Sequence, residues 1–307
     1  MEIKLIKRDD IDRLKWDSCV HYATNGSIYG YTWYLDNISE NWEGLVEGDY
    51  ESVMPLVWND RLMNIKQIYQ PFLAQQLGLF SVNALSPRRL KGFLEAIPKD
   101  YKKVVMHLNE RNRLKEMEGF EVKERKNFIL NLNDDYEVIE SKYSKNHKRS
   151  LKKARTFDNV IGGNVKVEVL MENYKKYQGV KIKDFKDDSY HAAHRVIYNA
   201  LHRGRGFMSS IQNKEGEIMA AAFFTISHNR MSLLFPSTTP AGRERNSMHL
   251  LIDMIIQMNS GRPMTLDFEG SQVESIARFY KGFGAQNKPY YHLSKNELPF
   301  WLKWMGK

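Results

Sequence analysis

Residues 265–285 read TLDFEGSQVESIARFYKGFGA. TLDFE alternates as a short strand, and ESIARFYKGFG follows as a helix with Ile276, Phe279, Tyr280 and Phe283 on one face. Gly282 and Gly284 mark its end. A carboxylate at a strand end can act as a general base when partial burial raises its pKa, so Glu269 is the candidate base. Asp267 and Glu269, two residues apart, are expected on the same side of the strand, with Phe268 on the other. Tyr280 has two readings: a packed residue of the apolar helix face, or a proton donor to a leaving group.

Just upstream, residues 238–251 read TTPAGRERNSMHLL, a Pro/Gly-containing loop with two arginines that enters an apolar helix. Met248, Leu251, Ile252 and Ile255 recur at helical spacing, and Gly261 and Pro263 end the segment. Free N–H groups and the positive dipole end at a helix N-terminus attract phosphate. Arg243 and Arg245 would add cationic contacts, with Asn246 and Ser247 at the helix entrance. The alternative is a solvated loop in which Asn246 or Ser247 is a simple N-cap.

Two halves follow, with the boundary expected between residues 135 and 136. In the first, EIKLIKR alternates as a strand and RDDIDRLKWDSCVHYA opens a helix with an acidic first turn. SIYGYTWYLDNISENW reads as helical, and WEGLVEGDYESVMPLVWND as a hairpin around Gly48 and Asp49. SPRRLKGFLEAIP is a helix with Ser86 as N-cap and Pro87 at N1, KKVVMHL is a strand, and EGFEVKERKNFILNL is a closing pair of strands. The second half repeats this grammar. VKVEVLM is expected as a strand, and ENYKKYQGVKIKDF and DDSYHAAHRVIYNALHRGR as helices. A meander turns at residues 213–216 and 228–229, and NKPYYHL is the final strand. A duplicated α/β unit with mixed sheets explains both halves.

Between the halves, residues 142–155 hold seven Lys or Arg, with no acid between Glu140 and Asp158. As a helix this segment sets Lys145, Lys148, Arg149 and Lys152 on one face and Tyr143, His147, Leu151 and Ala154 on another. Like charges on one face repel, so a bound anion would relieve a standing cost. A solvated helix bridging the halves is the alternative reading.

The arginine-bearing loop and the Glu269–Tyr280 segment, in this order, resemble the GNAT acyltransferase superfamily. The basic segment with Lys148, Arg149, Lys152, Lys153 and Ala154, followed by Phe268, Gly270, Ser271, Lys281, Phe283 and Gly284, looks like its FemAB branch of tandem-GNAT enzymes. The resemblance implies two tandem GNAT-like halves and a bacterial type of enzyme. It also implies transfer of an acyl group, from acetyl-CoA or another acyl-CoA, to an amine. For the FemAB branch the implied donor is aminoacyl-tRNA and the acceptor a cell-wall precursor.

Composition bounds the remaining possibilities. The 307 residues are 42% hydrophobic and 27% charged, as in ordinary globular chains. The mean hydropathy is −0.55. The longest apolar run, LLIDMIIQM, is far short of the roughly 20 residues of a membrane span. No secretory signal is visible at the N-terminus, so the cytoplasm is the expected location. One cysteine, Cys19, excludes a disulfide framework and cysteine-rich zinc sites, and no metal is expected. His191 and His194 sit three apart but lack a third ligand. The P-loop, α/β-hydrolase and zincin motifs are absent. A net charge of +9 and a pI near 9.3 favour an anionic partner, and from another class a non-catalytic module gripping RNA or an anionic surface fits the same charge.

Overall fold

The computed structural model describes residues 2–162, 165–181, 187–270 and 272–302. The chain forms two compact units, one of residues 1–125 and 289–307, the other of residues 126–288.

In chain order the first unit runs β1 (Ile3–Lys7), α1 (Arg13–Tyr22), α2 (Thr32–Ile38), β2 (Trp42–Glu47), β3 (Ser52–Asn59), β4 (Gln67–Ile68), β5 (Phe80–Ser81), α3 (Pro87–Glu95), β6 (Lys103–His107) and β7 (Glu121–Arg125). The second continues with β8 (Phe128–Asn131), α4 (Tyr136–Ser141), α5 (Lys145–Ala154), β9 (Val160–Gly162), α6 (Val167–Tyr177), α7 (Asp187–His202), β10 (Gly206–Gln212), β11 (Ile218–Ser227) and β12 (Arg230–Thr238). It ends with α8 (Pro240–Glu244), α9 (Ser247–Asn259), β13 (Thr265–Asp267), α10 (Glu274–Gly282) and β14 (Gln286–Asn287), and β15 (Tyr290–Asn296) belongs to the first unit.

Local chemistry explains most boundaries. Ser86 Oγ accepts from Arg89 N, and Pro87 opens α3 where a missing N–H costs nothing. The hairpin between β2 and β3 turns through Gly48, whose φ of +58° suits glycine.

The two sheets share a plan. The first is ordered β1-β2-β3-β4-β6-β15-β7, with β5 beside β3, and the second β14-β8-β13-β12-β11-β10-β9. Each holds one parallel junction in an otherwise antiparallel sheet, β4 with β6 and β12 with β13. Two expected pairings differ. β7 and β8 do not close the first half together, because β8 pairs with β13 and β14. The segment read as the last strand of the second half divides: β14 stays in the second sheet, while β15 inserts between β6 and β7. The units therefore divide at residue 125, ten residues before the expected boundary, and the first recovers the chain's end.

VKVEVLM is also corrected, from strand to the start of α6. Its Val167, Leu170, Met171 and Tyr174 are buried at helical spacing, and that periodicity overrides the local alternation of valines.

In the second unit α6 packs on β12 and α7 on β10, while α9 lies across β10, β11 and β12 with α5 against it. The core there joins Leu130, Phe224, Leu233, Leu251, Leu266, Phe268 and Phe283. Among the described residues no helix is long and apolar enough to cross a membrane. Gly242 in α8 is so close to the Met219 carbonyl oxygen that a Cβ there would collide with backbone. Gly242→Ala should therefore destabilise the protein by about 2 kcal/mol, read as a lowered Tm.

Candidate active site

Parallel pairing of β12 with β13 covers only Arg230 to Ser232 against Thr265 to Asp267. β12 continues to Thr238, so its last six residues have no partner strand on that side among the described residues. A bulge deepens the separation: Phe235 has φ +51°, and the register with β11 slips between Ala221 and Phe223. The result is an opening in the sheet, with the backbone of β12 along one edge.

Asp267 fixes the point of divergence. Its buried carboxylate accepts from Arg230 Nη1 at 3.0 Å, from Asn127 Nδ2 at 3.4 Å, and from the backbone N–H of Glu269 at 2.9 Å. β13 ends there, so the expected period-two relation of Asp267 and Glu269 lapses. Glu269 instead adopts φ +64° and Gly270 +62°. A left-handed glutamate is an uncommon, costly conformation held in place by its surroundings. Ser271 lies outside the described residues.

Tyr280 is buried in α10 and stacks on Phe268 with centroids 4.7 Å apart. Burial raises its phenol above the usual range, and the charge of Glu269 adds to the rise, so the hydroxyl stays protonated at neutral pH. Tyr280 is thus both a packed residue and a hydroxyl under the field of Glu269. Tyr174 of α6 also acts on its titration, and packs edge-on against Phe235 at 5.3 Å.

The basic segment is a helix, α5, capped by Ser144. Tyr143, His147, Leu151 and Ala154 are buried, and Lys145, Arg149, Lys152 and Lys153 are exposed. Lys148 reaches the Ser141 carbonyl oxygen at 3.2 Å and Arg149 the Asn146 side chain at 3.3 Å. Among the described residues none of these five cations pairs with an acid.

His147 ties this helix to α10. Its Nε2 faces the Phe279 carbonyl oxygen at 2.9 Å, which assigns the proton to Nε2, and Nδ1 then accepts from Ser144 Oγ at 3.1 Å. Gly282 leaves room for the ring, which a Cβ would strike, and its carbonyl accepts from Ser144 N at 2.9 Å. His147 also meets His249 of α9 at 4.7 Å, and Arg155 pairs with the buried Asp253 of α9 at 2.8 Å. The structure thus brings α5, α9 and α10 together.

The expected arginine loop is corrected to a short helix. Thr239 Oγ1 caps α8 by accepting from Gly242 N at 3.0 Å, and the N–H groups of Arg243, Arg245 and Asn246 bond within the segment. Arg243 is exposed, and the Arg245 guanidinium lies over the Phe157 ring at 5.2 Å, just past α5. Asn246 is left-handed with φ +54° and makes no side-chain cap to α9. The Ser247 side chain is fully buried, and its hydroxyl has no hydrogen-bond partner among the described residues.

Local sequence patterns do not single out Arg230, Tyr174, Phe235 or Ser237, the last with a buried hydroxyl that has no partner among the described residues, on the splayed end of β12. Pro236, inside a strand, was the available signal of a bulge.

Comparison with known proteins agrees with this geometry. Residues 141–274, within the second unit, match the family model of the acetyltransferase (GNAT) domain. FemX shares the fold over 95% of this chain and 97% of its own, with a TM-score of 0.65 and 11% identity. A conserved protein of unknown function from Bacteroides thetaiotaomicron follows over 93% and 97%, at 0.59 and 12%. L-PGS from Bacillus licheniformis matches over 94% and 93%, at 0.53 and 10%. No curated protein matches the sequence. The expected tandem GNAT-like fold is borne out.

Removing Asp267 leaves Arg230 without its buried partner, so Asp267→Ala should cost about 3 to 5 kcal/mol, measured by denaturant unfolding. A second outcome concerns pH. Burial lowers the pKa of His147, and burial followed by His147 lowers that of His249 to about 4. Unfolded histidines titrate near 6.5, so these groups contribute stability above that pH. Tm should fall as the pH drops from about 6.5 towards 4.

Proposed function

We propose that the second unit transfers an acyl group from an activated donor, in the first reading acetyl-CoA, to an amine. The observation that carries this reading is the opening between β12 and β13, with Glu269 and Tyr280 beyond the last paired residue. An acyl chain lying along the unpaired edge of β12 would meet backbone N–H groups able to polarise its carbonyl. Glu269, directly or through a water, removes the proton of the attacking amine. The nitrogen bonds to the acyl carbon, the carbon–sulfur bond breaks, and Tyr280 protonates the departing thiolate. Glu269 then returns its proton to Tyr280, so the amine proton ends on the thiol.

The N-terminus of α9, which has no side-chain cap, together with Arg243, Arg245, Asn246 and the backbone of Ser247, would hold the donor's pyrophosphate. In a second reading the donor is aminoacyl-tRNA, as in a FemAB-like aminoacyltransferase acting on a cell-wall precursor. What favours it is the acid-free face of α5, where Lys145, Lys148, Arg149 and Lys152 would contact phosphates. Metal chemistry has no role in either reading, and the location proposed is the cytoplasm.

Calorimetric titration with acetyl-CoA and CoA tests the donor. Both should bind, and Arg243→Ala combined with Arg245→Ala should weaken them about tenfold or more. Unchanged affinity would refute the pyrophosphate assignment. In the second reading, charged tRNA binds instead, with an affinity that falls steeply with salt and with Lys145, Arg149 and Lys152 changed to Ala.

A further inference from the structure

On the first unit, one face of β6, β15 and β7 carries imidazole and cationic groups that acyl transfer does not use. His292 on β15 stands directly opposite His107 on β6 and Lys123 on β7, and Tyr290 opposite Arg125. Directly paired residues project from the same face of a sheet. The alternate residues Met106, Val122 and Leu293 enter the core, which fixes the orientation. The rings of His107 and His292 lie 5.2 Å apart, and those of His107 and Tyr290 5.3 Å. The segment before β5 holds His107 in place: its Nδ1 donates to the Gln75 carbonyl oxygen at 3.0 Å, and its backbone N–H to Gln70 Oε1 at 2.7 Å.

Two nitrogens of this group, Arg125 Nε and His292 Nδ1, are buried with no hydrogen-bond partner among the described residues. Glu121, on the same face, is already engaged by Lys123 at 2.7 Å and by Ser294 Oγ at 3.2 Å. A buried N–H without an acceptor on a permanent cation is costly, and an oxyanion is the kind of group that supplies the missing acceptors. The cationic field is evident in the rings. Burial and then Arg125 hold His107 neutral, down to about 3, and burial, Arg125 and Lys123 lower His292 against the opposing pull of Glu121.

We propose that Arg125 and His292, beside the ring of His107, form an oxyanion-binding site on the first unit, taking the phosphate or carboxylate group of a ligand. The guanidinium offers its Nε–H and a terminal N–H as a planar fork, and His292 donates from Nδ1 in the matching tautomer. The site is separate from the acyl-transfer reading and does not depend on it.

The histidine ring signals of the whole protein, followed by NMR, test this. Inorganic phosphate and acetate are titrated separately, with sodium chloride exchanged to hold ionic strength constant. The expected result is a saturable shift of the His292 and His107 signals with at least one anion, and a raised His292 pKa in its presence. Saturation by phosphate alone identifies a phosphoryl ligand, and by acetate alone a carboxylate. Arg125→Gln should weaken binding at least about tenfold, while Arg111→Gln, at an exposed position of the same unit, leaves it unchanged. Shifts with neither anion, or equal affinity in a folded Arg125→Gln protein, would overturn the proposal, and the wild-type titration decides even if that variant does not fold.

Discussion

The ion pair of Arg230 with the buried Asp267 is the interaction on which the second unit's geometry depends. It sits where the parallel contact between β12 and β13 ends, and it converts a short strand into a fixed pivot. Asp267 is satisfied three ways at once, by a guanidinium, by an amide and by the backbone N–H of Glu269. A buried carboxylate so engaged resists displacement. Glu269 consequently leaves the strand in a left-handed turn, and the two strands separate instead of continuing to pair. The same aspartate that holds the sheet together thus sets where it opens.

From that pivot the positions of the remaining groups follow. Phe268, entering the core beside Asp267, provides the surface on which Tyr280 stacks. Tyr280 stands on α10, and the last turn of α10 is held by a neutral His147 wedged against Gly282. His147 belongs to the basic helix, whose opposite face carries Lys145, Lys148, Arg149 and Lys152. Packing inward and charge outward on α5 are therefore two consequences of one helical period. A substitution at His147 would disturb the tyrosine helix and the cationic surface together.

Much of this is legible in the sequence. The capping of α3 by Ser86, the hairpin at Gly48 and the two-faced α5 follow from local rules that tertiary structure leaves alone. The failures share a cause. The strand expected at VKVEVLM is a helix because burial at four helical positions outweighs β-branched propensity. The exchange of β8 and β15 between sheets depends on pairings more than a hundred residues apart, which no local pattern encodes. The segment holding Arg243 is the helix α8 because Thr239 caps it, a signal present in the sequence as Thr-Pro. Glu269 was recognised as the residue ending a strand, but its left-handed backbone arises from the hydrogen bond to Asp267, which only the fold supplies.

The central claim is that the opened sheet carries out acyl transfer with Glu269 as its base. The most direct test is to measure loss of acyl donor, acetyl-CoA in one series and aminoacyl-tRNA in another, in the presence of a panel of primary amines, for the wild type and for Glu269→Gln. The account predicts amine-dependent consumption of one donor by the wild type and a rate at least about a hundredfold lower in the variant. Consumption of neither donor, or equal rates in the two proteins, would contradict it.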